Sequence, residues 1–136
     1  MSKLLTTLLA SAGIALASMA GAQTMTKQAY EAEVDKINAT YKADKQRCDS
    51  LSGNKKDICE AEAKAKRDVA KANSEVSYKN TDNARRDAVN AKADAEYDVA
   101  KERCDDLAGQ AKDVCMSDAK AARERAKASG KAAAKS

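Results

Sequence analysis

The only side chains in this sequence with distinctive chemistry are four thiols. Cys48 and Cys59 close the stretch RCDSLSGNKKDIC, and Cys104 and Cys115 close RCDDLAGQAKDVC, which repeats it 56 positions later. Thiols in such pairs can form structural disulfides, hold zinc or exchange electrons. Zinc ligands usually stand roughly two to four residues apart. Redox dithiols use C-x-x-C at the start of a helix. Neither spacing occurs, so disulfides are the expectation, and bridging between chains is the alternative to local closure. The sequence has no histidine, hence no Ser-His-Asp or Cys-His pair and no imidazole ligand. No phosphate-binding glycine loop or EF-hand loop is present. The carboxylates lie scattered beside lysines and read as solvated surface. The expectation is no catalytic residue, no metal, no cofactor and no enzyme.

The elements around the thiols decide which bridges can form. Residues eleven apart on one continuous helix are separated by about 16 Å, whereas a disulfide needs its Cα atoms within about 7 Å. A local bridge therefore requires the chain to double back. Gly53 and Gly109 stand five residues after Cys48 and Cys104, where that reversal is needed. Glycine takes the left-handed conformation that ends helices without steric cost. The reading is two turns, Cys48–Cys59 and Cys104–Cys115 bridged across them, with Asn54 capping the second helix and Asp57 completing a capping box.

At an offset of 56 the identity continues beyond the thiols. It takes in Tyr41/Tyr97, Arg47/Arg103, Asp49/Asp105, Leu51/Leu107, Lys56/Lys112, Asp57/Asp113, Ala63/Ala119 and Arg67/Arg123. That is an internal duplication. Tyr30, Val34, Ile37, Tyr41, Cys48 and Leu51 recur at helical spacing and form a thin apolar stripe. The outgoing arm carries Ile58, Ala65, Val69, Ala72 and Val76. In the second unit the stripes are Ala93, Tyr97, Ala100, Cys104 and Leu107, then Val114, Ala121 and Ala128. The sequence has no proline, strong helix formers dominate, and large apolar residues are few. The fold class is all-α: two tandem antiparallel helical hairpins over 23–79 and 80–128, each clasped by a disulfide, thinly cored and elongated. The polar segment 77–87 predicts a helix break, and 129–136 a disordered tail.

The first residues, MSKLLTTLLASAGIALASMAGAQT, combine Lys3, an apolar run to Met19 and an A-x-A site. They predict a signal peptide over 1–22, cut between Ala22 and Gln23, and export to the periplasm. No later run has membrane length. Removing residues 1–22 takes Lys3 alone from the net charge of +4, leaving a nearly balanced chain that does not point to specific nucleic-acid binding. Lys120, Arg123, Arg125, Lys127, Lys131 and Lys135 make the C-terminal segment basic, so contact with an anionic surface is open to it.

The stretch YKADKQRCDSLSGNKKDICEAEAKAK resembles a group of small exported, Ala/Lys-rich proteins of Gram-negative bacteria built on C-D-x-L-x-G-x-x-K-D-x-C units and sometimes labelled TolA-like. The resemblance implies a compartment and a helical repeat, and assigns no activity. Composition and stripe together lead to an expected role as a structural or protein-interaction component of the cell envelope, with an envelope protein or a second copy as partner. A periplasmic holdase is the alternative, and polyanion binding through the basic segment a third reading.

Overall fold

The computed structural model describes residues 24–133. The signal-peptide reading and its cleavage residues Ala22 and Gln23 lie outside them, as does Lys135. The described chain forms four helices: α1 (Lys27–Cys48), α2 (Asn54–Lys79), α3 (Asp82–Cys104) and α4 (Gly109–Ala133). Each packs against its neighbours in the chain and no others, α1 on α2, α2 on α3 and α3 on α4.

Side-chain direction explains that order. On α2, Cys59, Ala63, Arg67 and Tyr78 meet α1, while Asn54, Lys64, Ala65 and Val69 meet α3. At about 3.6 residues per turn these sets fall on opposite sides of the helix. On α3, Asp98, Glu102 and Val99 face α2, and Cys104, Tyr97 and Asp94 face α4. The helices therefore lie side by side in one antiparallel layer with two broad faces. Burial is correspondingly thin. Fully buried side chains are Cys48 and Cys104, with Ala63, Ala84, Ala93, Ala95, Ile37 and Ser74 nearly so.

Local chemistry sets the ends. Thr26 and Thr81 cap α1 and α3, accepting hydrogen bonds from the amides of Ala29 and Ala84 at 3.2 Å. Between α2 and α3, Asn80 takes the left-handed conformation (φ 48°) and its amide bonds back to Val76 O at 2.8 Å. The break expected in 77–87 is therefore at Asn80–Thr81. Gly53 (φ 58°) and Gly109 (φ 55°) make the two disulfide turns.

Two expectations are corrected, and the outgoing stripes gain a neighbour that their spacing left open. Asn54 does not cap α2: Gly53 holds the cap position without a side-chain bond, and Asn54 Nδ2 instead donates to Glu102 O of α3 at 2.8 Å. The outgoing stripes do not face their own hairpin partners. Ala65 and Val69 turn to α3, and Val114 is 52% exposed. The tail is not disordered from 129, because α4 continues to Ala133 and its buried Gly130 lies against Val89.

Candidate interaction surfaces

The duplicated phrase builds the same clasp twice. Cys48–Cys59 and Cys104–Cys115 are bonded, with Cα–Cα distances of 5.6 and 5.7 Å. In each turn the aspartate after the first cysteine meets a lysine beyond the glycine: Asp49–Lys56 at 3.1 Å and Asp105–Lys112 at 2.8 Å. Hydrogen bonding to Lys112 holds the Asp105 carboxyl below its ordinary value, and the same bond raises Lys112. Hydrogen bonding to Asp49 likewise raises Lys56. About two turns from each disulfide, Arg67 lies 4.3 Å over the Tyr41 ring and Arg123 lies 4.9 Å over Tyr97. The residues that recur across the duplication are thus mostly the fastenings of a hairpin. Their repetition reports how each hairpin is held closed.

Leu51 and Leu107 are the exception. Helical spacing in the sequence makes both the last members of an apolar stripe. The structure places them in the turns, 39% and 43% exposed, each amide bonded to the carbonyl of the preceding cysteine at 2.9 and 3.0 Å. Because the helices alternate in direction, both turns project from the same end of the layer.

The two broad faces differ. Tyr41, Glu60, Lys64, Asp98, Lys101 and Glu102 line a shallow ionic depression on one face, crossed by the Lys64–Asp98 pair at 2.7 Å. Hydrogen bonding to Asp98 raises the Lys64 ammonium above its ordinary value. On the other face, Ala65, Val69, Ala95 and Val99 floor an open groove of about 840 Å³ between α2 and α3. Lys66, Lys92, Glu96 and Arg103 edge it. It shares Ala100 and Cys115 with a second apolar hollow of about 820 Å³ lined by Ala111, Val114, Ala119 and Ala122. The apolar surface is thus continuous across three helices. The sequence puts Ala65 and Val69 on one stripe and leaves its neighbour open, and the structure gives that stripe α3. The phase was available: Cys59 must face α1, so Ala63, Arg67, Ala70 and Ser74 follow it, and Ala65 and Val69 cannot.

The basic segment of α4 is partly consumed internally. Lys127 Nζ lies 2.7 Å from Asp94 Oδ1. Arg123 Nε stands 2.8 Å from the same oxygen, but as an ion pair without hydrogen-bond alignment. Among the described residues, no group of three or more His, Cys, Asp or Glu is placed to hold a metal ion, and no helix is long and apolar enough to cross a membrane. No protein-family model matches the chain, and no curated protein or solved structure is significantly similar to it.

Proposed function

We propose that this protein is an exported, non-catalytic interaction component of the cell envelope that takes a partner helix on its apolar face. The observation carrying this reading is the continuous groove over α2, α3 and α4, which no second layer covers among the described residues. An apolar stripe normally needs a covering element. Alanine-lined grooves let a helix approach closely, and with Arg103 paired to Glu62 and Lys92 to Glu96, Lys66 gives the rim a net positive charge. The fitting partner is an amphipathic helix with an acidic flank. Two intramolecular disulfides are compatible with an oxidising compartment, and the apolar N-terminal segment with its A-x-A site supplies the export signal.

The test places a photo-crosslinking side chain at Val99 in the groove or at Lys64 on the ionic face, in cells exporting the protein. Discrete adducts from position 99, absent from position 64 and reduced by a Val69→Glu change that leaves helicity intact, support the reading. Equal labelling from both faces, or none from the groove, refutes it. Peptide mapping of the fractionated protein without reductant reports compartment, cleavage and connectivity together.

A holdase reading draws on a separate observation, the two exposed leucines at one end of the layer together with Val114. It requires that the chain suppress light scattering by a reduced, unfolding client. Leu51→Ser with Leu107→Ser must then weaken that suppression.

A further inference from the structure

The contact between the two hairpins is a template for what a third hairpin would need. It consists of Lys64–Asp98 and Glu62–Arg103, both at 2.7 Å, the Asn54–Glu102 hydrogen bond, and the groove residues Val69 and Val99. The duplication relates α2 to α4 and α1 to α3 at an offset of 56. Continuing the array would therefore set α4 of one chain against α1 of the next, in the geometry already used between α2 and α3.

Transferring each contact to that junction tests whether the ends can join. Glu62–Arg103 becomes Asp118 against Arg47, and Asn54–Glu102 O becomes Gln110 against the carbonyl of Gln46, so both of these pairings keep their chemistry. Lys64–Asp98 becomes Lys120 against Lys42, two like charges where the internal junction has a close ion pair. Val69 becomes Arg125, which puts a charge into the floor on the α4 side, and Val99 becomes Ala43, which is apolar but smaller, while Ala65 and Ala95 keep alanine as Ala121 and Ala39. Ala84, buried in the layer, corresponds to Gln28, which is exposed on α1. Lys42, Ala43 and Arg125 are all exposed in the chain as it stands. Repeat arrays stay soluble when their terminal faces are made polar in this way.

We infer that the outer faces of α1 and α4 are end caps, which hold the array at two hairpins and block head-to-tail joining of copies through Lys42, Ala43 and Arg125. Self-association is thereby confined to routes other than end-to-end continuation. The inference stands apart from the proposed envelope role, since it rests on the inter-hairpin contact alone.

Sedimentation of the oxidised, signal-free chain over a concentration series tests it. The wild type is expected to give discrete species with no open-ended growth. Lys42→Asp, Ala43→Val and Arg125→Val together restore the internal contact at both ends. They should tighten end-to-end association by on the order of tenfold or more, seen as a concentration-dependent ladder. Lys42→Asp alone should give a weaker, salt-sensitive gain. These positions are solvent-facing, and helicity by circular dichroism confirms folding for each variant. Open-ended growth of the wild type overturns the inference, and so does a folded triple variant that sediments as the wild type does.

Discussion

Removing one clasp at a time should expose how the layer holds together. The perturbation is Cys48→Ala with Cys59→Ala, compared with Cys104→Ala with Cys115→Ala. Each bridge closes a chain segment with a sequence separation of 11. In the loop-closure account this removes about 9 cal/mol/K of unfolded-state entropy, or about 2.8 kcal/mol near room temperature. Cys48 and Cys104 are both fully buried, and replacing sulfur by hydrogen there leaves a small void. Each double variant should therefore lose about 3 kcal/mol, and the two losses should agree within about 1 kcal/mol because the loops are equal. That is a large share of the stability of a small domain. The losses should also be local. α1 and α4 each touch one other helix, whereas α2 and α3 touch two. Amide exchange should thus rise first in α1 for the first variant and in α4 for the second, with the α2–α3 pair still protected. Urea unfolding followed by circular dichroism gives the energies, and exchange with mass spectrometry gives the place. A loss below about 0.5 kcal/mol in either variant, or deprotection spread evenly over four helices, would refute this account of the clasps.

Gly130→Ala should destabilise the chain by about 1 kcal/mol despite the better helix propensity of alanine, since a Cβ there would sit 2.9 Å from Val89 Cβ; a rise in urea midpoint would show that the helices separate freely. Gly53→Ala and Gly109→Ala should each cost about 1 kcal/mol, because φ is positive at both positions while nothing lies within 4 Å of either added methyl; equal stability by thermal melting would remove the conformational argument. On acidification the Asp105–Lys112 contribution is present above the ordinary carboxylate value. It is lost as pH falls through the depressed value of Asp105. Asp105→Asn should therefore flatten the acid limb of the stability profile, and an unchanged limb would discount this pair. Asn54→Ala should loosen the α2–α3 contact by removing the bond to Glu102 O, costing about 1 kcal/mol, readable as faster amide exchange near the α3 C-terminus; unchanged exchange would mean the hairpins need no such tie.

The thiol spacing, the two glycines and the 56-residue offset determined the hairpins by themselves, because helix rise and disulfide reach leave one local solution. The incoming stripe of Tyr30, Ile37, Tyr41 and Cys48 was equally legible, since it meets a single neighbour. The outgoing arm was not. α2 carries two contact lines, one for α1 and one for α3, and composition separates them poorly when both consist largely of alanine. Asn54 illustrates the same limit: its sequence context fits a cap, and only the approach of α3 gives it Glu102 O as a partner. Leu51 and Leu107 continue a helical periodicity on paper, but the helix has ended before them, so the periodicity no longer sets their direction. The single layer, its apolar and ionic faces and its capped ends belong to tertiary structure, because they depend on which side of α2 and α3 each neighbour occupies. That choice is made by inter-helix contacts such as Lys64–Asp98 and Glu62–Arg103, whose partners lie 34 and 41 residues apart, beyond the reach of any local pattern.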